Sequence, residues 1–248
     1  MNNLESFFIS DLHLSQNFPR TIVLFLEFLK TKALEVDNLY ILGDFFEAWA
    51  GDDLASLADD QIIQALKAYH TTGRKIFFMP GNRDFLVGKH FAQQSGCTLL
   101  PDPYVIQIDN QNILLMHGDS LCTFDKKYQR FRAVARNALI KKIFLYLPAK
   151  LRLAVAKKLR APSKNTMISE AQKKIFDVNL STVTEKMLHY NAHVLIHGHT
   201  HKPIKESITL NQSDKLGQRI VLGEWLADSG CYLHYTNHQF ELSSYRLT

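Results

Sequence analysis

The chain has 248 residues, 46% hydrophobic and 21% charged side chains and a formal charge of +5, proportions that suit a globular protein with one sizeable core. No run approaches the roughly 18 apolar residues of a membrane span, and the first residues lack the basic-then-apolar pattern of a secretion signal. Three cysteines without a CxxC argue against a disulfide framework, so a cytoplasmic protein is expected.

Short apolar runs predict strands at 6–10, 38–42, 75–79, 104–108 and 112–116, the last two joined as a hairpin by Asp109-Asn110. Helical spacing predicts helices over 22–34, led by Pro19 as a first helical residue, over 57–69 and near 87–94. From 124 to 189 the pattern is helical throughout, broken at Pro148 and Pro162. Strand-like runs return at 193–196, 218–222, 230–235 and 239–245. Strands alternating with helices predict an α/β fold with a mainly parallel sheet, one domain over 1–248 carrying a helical insertion at 124–190.

A polar, ligand-type residue follows each of five strands at once: Asp11-x-His13, Gly43-Asp44, Gly81-Asn82-Arg83-Asp84, His117, and His197-Gly198-His199-Thr200-His201. In α/β sheets, ligands bind beyond the carboxyl ends of the strands. Singly, each segment except the last has an ordinary structural reading as a turn, a loop or a buried histidine. Three histidines in five residues do not, and the five segments together predict a dinuclear metal centre. Asp11, His13 and His201 are assigned to one cation, Asn82, His117 and His199 to the other, and Asp44 to both as a bridge. His197 is expected to support the ligands from behind or to be structural. Imidazole, carboxylate and amide donors suit Mn(II), Fe or Zn better than Mg, and such a pair would acidify a water molecule into a nucleophile.

These segments, D-x-H, G-D, G-N-R-D, a lone H and G-H-x-H in order over 11–201, resemble the calcineurin-like metallophosphoesterases. The resemblance implies a four-layer α/β/β/α sandwich. Within that superfamily the wording SDLHL, LYILGDFFEAWAGDD, GNRDFLVGKHF, LLMHGDSLCTFDKKYQRFR and LIHGHTHKP resembles the family that hydrolyses UDP-2,3-diacylglucosamine in lipid A synthesis. That likeness implies two Mn(II) ions, attack of water on the phosphorus nearest uridine, and an acylated sugar-nucleotide substrate contacted by Asn82, Arg83, Asp125, Tyr128, Ser163 and His199. Asp44, Asn82, Arg83 and His199 would act in catalysis. Past Ser163 the pattern departs: Met167 and Glu170 stand where a polar residue and a lysine are usual, which leaves Lys173 or Lys174 to supply the cation.

Arg83 itself favours a pyrophosphate substrate. Many relatives that cleave poor leaving groups carry histidine there as an acid, whereas arginine holds its proton and can only clamp phosphoryl oxygens; a salt bridge to Asp84 is the bland alternative. Between Lys126 and Lys164 stand 13 Lys or Arg and no acid, against 16 basic and 24 acidic residues elsewhere. The insertion is therefore basic and amphipathic. It is expected to cap acyl chains and to meet an anionic inner-membrane surface, with no protein partner required. A cyclic-nucleotide phosphodiesterase, a nucleotide pyrophosphatase, a nuclease and a metal-bearing scaffold without activity are the alternatives. Phe124, Tyr128, Phe131, Phe144 and Tyr146 sit at helical spacing that suits a core or lipid pocket better than a nucleic-acid groove.

Overall fold

The computed structural model describes residues 5–160, 177–210 and 216–247. Its first sheet has the order β11-β10-β1-β2-β3-β4, from β1 (Ser6–Ile9), β2 (Asn38–Ile41), β3 (Lys75–Phe78), β4 (Cys97–Leu99), β10 (Ser229–Thr236) and β11 (Gln239–Arg246). The second has the order β5-β6-β7-β9-β8, from β5 (Tyr104–Ile108), β6 (Gln111–Met116), β7 (Val194–His197), β8 (Ile204–Thr209) and β9 (Leu216–Val221). Strands β1 to β4 run parallel, as do β6, β7 and β9, while the flanking strands are antiparallel. The strands read as mainly parallel from their alternation with helices thus form two mixed sheets, as a four-layer sandwich requires.

Side-chain alternation fixes the layers. Phe7, Ile9, Leu39 and Ile41 point outward from the first sheet onto α1 (Pro19–Lys30), α2 (Leu57–Thr71) and α3 (Lys89–Ser95). Their neighbours Phe8 and Tyr40 point inward and share a core with Ile113, Leu115, Val194 and Ile196 of the second sheet. Leu114, Met116 and Leu195 then face α7 (Leu180–His189) through Val183 and Met187. Helix, sheet, sheet and helix follow in order, the sandwich that the resemblance implies. Asp109 and Asn110, both at positive φ, turn the β5–β6 hairpin as expected.

Three basic helices, α4 (Lys126–Ala135), α5 (Ala138–Leu145) and α6 (Ala149–Arg160), follow β6. Polar anchors tie them to the body. Lys141 Nζ donates to the Phe85 carbonyl at 2.6 Å, and Arg152 Nη1 donates to the Ala50 carbonyl at 2.8 Å and pairs with Asp53. The 124–190 span expected as insertion includes α7, but α7 buries its apolar face on the second sheet and belongs to the body. Amphipathic spacing shows that a helix has an apolar side; it does not show what covers it. Among the described residues no helix is long and apolar enough to cross a membrane.

Candidate metal centre

Both sheets present the carboxyl ends of their parallel strands to one edge, and the loops there are stitched together by backbone. Asp11 N–H donates to the Gly43 carbonyl at 3.0 Å, His13 N–H to that of Asp44 at 3.0 Å, and Gly198 N–H to that of His117 at 2.9 Å. Glycine permits this closeness at two points, just before Asn82 and just before His199. A Cβ on Gly81 would stand 2.3 Å from the Asp44 nitrogen, and one on Gly198 would stand 2.3 Å from Asp11 Oδ2.

The loops carry two groups of donors. Asp11, His13 and His201 bring one ligand atom each to within 4.8 Å of one another, and Asp44, His117 and His199 do the same. Asn82 joins the second group, with its Oδ1 2.8 Å from His117 Nε2. Asp44 lies beside His117, its Oδ1 3.5 Å from His117 Nε2. Asp11, His13, Asp44, His199 and His201 all take positive φ, between 49° and 71°. Non-glycine residues avoid this region unless the surroundings enforce it, and such strain concentrates at functional sites.

Protein atoms stand beside the outward nitrogens of three of these histidines. His13 Nδ1 lies 3.1 Å from Glu47, His201 Nδ1 lies 3.0 Å from Glu224, and His117 Nδ1 lies 2.9 Å from the Leu42 carbonyl. A proton on Nδ1 of His201 or His117 would leave its Nε2 as a lone pair aimed into the site, the usual way a protein orients an imidazole ligand, whereas His13 Nδ1 approaches Glu47 without hydrogen-bond geometry. Asp11 Oδ2 accepts from Ser10 and from the His199 backbone at 2.6 and 2.9 Å, while its Oδ1 is buried without a hydrogen-bond partner. An orphaned buried carboxylate oxygen facing imidazole lone pairs fits a cation. Electrostatics agree. Burial alone would raise the Asp11 carboxyl, but His201, His117 and Ser10 hold it at about 2. Burial would likewise lower His117, yet the carboxylates of Asp44, Asp119 and Asp11 lift it to about 9. The field at this edge is one that attracts positive charge.

His197, by contrast, is spent on structure. Its Nδ1 lies 2.8 Å from the Gly198 carbonyl, and its Nε2 accepts from Arg219 Nε at 3.0 Å. Asp84 is also structural rather than paired with Arg83. Fully buried, it accepts backbone N–H groups from Gly81, Phe45 and Phe46 at 2.6, 2.8 and 3.3 Å. Burial, then the nearby Asp44, raises its carboxyl to about 6. Arg83 turns instead to Glu47, with Nη1 3.3 Å from Oε1, and its backbone N–H donates to Asp44 Oδ1 at 2.8 Å.

Of the remaining expected contacts, Asp125 caps α4 by accepting from Tyr128 N–H at 2.9 Å. The Tyr128 ring lies 6.4 Å from that of His199, nearly parallel. Ser163 and Lys173 lie outside the described residues. Sequence reasoning missed what holds Tyr128 there. Its hydroxyl donates to the buried Asp119 at 2.6 Å, and Asp119 also accepts from Arg132 at 2.8 Å. Arg132 reaches Asp102 at 2.9 Å, and Arg136 lies 3.4 Å from Asp119. Two acids and two arginines thus lock α4 onto the rim of the site. Glu47 and Glu224 were also missed; pairing of a carboxylate with a distant histidine has no local signal.

Beside His13 and His201 opens a cavity of about 580 Å³ that also borders Arg83, Phe18 and Leu226.

A family model described as calcineurin-like phosphoesterase matches residues 6–203. Curated relatives bearing the name UDP-2,3-diacylglucosamine hydrolase align over nearly the whole chain. The protein from Pectobacterium carotovorum is 43% identical, covering 98% of this chain and 99% of its own. That from Serratia proteamaculans is 45% identical over 90% and 91%, and that from Salmonella agona 42% over 98% and 100%. With its two donor groups, its layered fold and these relatives, the chain belongs to the calcineurin-like phosphoesterases and, within them, to the UDP-2,3-diacylglucosamine hydrolase family.

Proposed function

We propose that the protein hydrolyses the pyrophosphate bond of UDP-2,3-diacylglucosamine to UMP and 2,3-diacylglucosamine 1-phosphate in lipid A synthesis, with two Mn(II) ions as cofactor. The observation that carries the reaction class is the convergence of two Asp/His donor groups at one edge, with Nδ1 of His201 and of His117 held by Glu224 and the Leu42 carbonyl. The likeness to named hydrolases over nearly the full chain supports the substrate.

Asp11, His13 and His201 would hold one cation, and Asn82, His117 and His199 the other, with Asp44 between them. Such a pair, when bound, acidifies water and neutralises phosphoryl charge. The chain's own residues do the rest. Asn82 and His199 orient the phosphoryl oxygens. Arg83, steered by Glu47, donates N–H groups to the same oxygens and stabilises charge as it develops. No acid stands at that position, which suits a phosphate leaving group. Attack on the phosphorus nearest uridine expels the acylated sugar phosphate, which Asp125 and Tyr128 meet on the α4 side, with Ser163 and Lys173 as further contacts.

Helices α4 to α6 form the cap. Leu139, Ile143, Tyr146 and Leu153 are exposed among their lysines and arginines, a surface able to cover acyl chains and lie on anionic lipid. Peripheral attachment to the cytoplasmic face of the inner membrane follows. The test is UMP release from the diacylated substrate against water-soluble sugar nucleotides, with co-sedimentation on anionic vesicles at low salt. Equal turnover of both substrates overturns the substrate assignment, and failure to co-sediment overturns the attachment.

A further inference from the structure

The cavity beside His13 and His201 lies apart from the basic helices. Its volume of about 580 Å³ is within the range of small-molecule sites. Among the described residues its walls come from the start of α1, from Glu47 and Arg83 and from the turn at 224–227, with nothing from α4, α5 or α6. His13 and His201, two of the three residues in the first donor group, line it. The second donor group lies beside α4, with the His199 ring 6.4 Å from that of Tyr128. A pyrophosphate laid across both groups therefore has one end beneath the basic helices and the other in this cavity.

Which end enters is decided by the walls. Much of the wall is apolar, but Asn17, Arg20, Glu47 and Glu224 also line it and would be stripped of water by a pair of acyl chains with nothing to replace it. A nucleoside satisfies them. Phe18, 54% exposed, offers a ring face for a base, and Leu226, 51% exposed, adds apolar surface. The Asn17 amide has the donor and acceptor that a uracil edge requires, and Arg20 and Arg83 supply cations for a phosphate. We infer that this cavity binds the pyrimidine nucleoside 5′-phosphate end of the substrate, with Phe18 as the stacking residue. The inference rests on the hydrolase reading above and orients the substrate: nucleoside toward α1, acyl sugar toward α4.

The test is calorimetric titration of UMP into the metal-loaded protein and its Phe18→Ala and Leu226→Ala variants. The inhibition constants of UMP and of 2,3-diacylglucosamine 1-phosphate are measured alongside. Loss of base stacking predicts UMP binding weakened at least about 5-fold in Phe18→Ala, with inhibition by the acylated product unchanged. Both side chains are half exposed, so the variants should fold; circular dichroism checks this. Unchanged UMP binding in both variants, or equal weakening toward both products, overturns the assignment. Calorimetry needs no turnover. If Phe18-dependent UMP binding persists in a protein that fails to cleave the diacylated substrate, the pocket stands and the substrate reading falls. If the diacylated substrate is cleaved while UMP binding is independent of Phe18, the substrate reading stands and the pocket falls.

Discussion

Nε2 of His13 and Nε2 of His201 face each other at 3.4 Å. With the proton of each ring on Nδ1, on the side of Glu47 or Glu224, both facing atoms would be lone pairs, and the Asp11 oxygen 3.3 Å from His201 Nε2 would be a third acceptor. Three acceptors without a donor among them are resolved by a cation. Glu224→Gln and Glu47→Gln should therefore each weaken divalent-metal affinity by roughly 10- to 100-fold, read by competition with a chromogenic chelator. Affinity equal to that of the unaltered protein would show that the carboxylates do not set the ring orientation.

Asp44→Ala should abolish most turnover, with a loss in kcat of at least about 100-fold. Elemental analysis of the purified variant should show less bound metal as well. Survival of most activity would make the two-metal assignment wrong.

Arg83→Lys should not rescue Arg83→Ala, because an ammonium lacks the planar fork that grips two phosphoryl oxygens. Both should lower kcat/KM by roughly 10²-fold while leaving the melting temperature nearly unchanged, since this side chain is partly exposed at the cavity rim. Full recovery with lysine would reduce Arg83 to a point charge.

Much of this site was legible in the sequence. Asp11, His13, Asp44, Asn82, His117, His199 and His201 each follow a strand whose apolar run is short and unmistakable. What was hidden depends on distance or on surface. Glu47, Glu224 and Asp119 act through partners far along the chain. β8 reads as Ile204-Lys205-Glu206-Ser207-Ile208-Thr209, an edge strand too polar for an apolar run to reveal. β4 has only three residues. α7 looked like part of the insertion because its apolar stripe gives no sign of which sheet it covers.

Arg132→Ala should destabilise the protein by about 3 kcal/mol, because it leaves Asp119 and Asp102, both buried, short of a cation. Urea unfolding measures this. If α4 is held to the rim by this network, the same variant should also bind the acylated product less tightly while UMP binding is retained.

His197 gives a signed pH effect. Burial, then Arg219, pulls it from 6.5 down to about 3. Between those values the unfolded chain binds a proton that the folded chain refuses, so its contribution to stability falls as pH drops, by up to about 1.4 kcal/mol per unit. Asp84, raised from 3.8 to about 6, acts with the opposite sign below pH 6, which is why the comparison must be between variants. His197→Gln should lose less stability than the unaltered protein between pH 7 and 5, in urea unfolding with chelator present. Parallel pH profiles would remove His197 from the account.

The left-handed backbone at Asp11, His13, Asp44, His199 and His201 sets stability selection against catalysis. Glycine at His13, His199 or His201 relaxes the main chain and deletes a donor in one step, whereas at Asp11 or Asp44 it would also leave a backbone N–H without its acceptor. A selection for heat resistance alone, run without a demand for turnover, should therefore drift toward glycine at the strand ends and yield sturdier, inert proteins. The three histidines are those the scaffold would discard first if nothing required the chemistry.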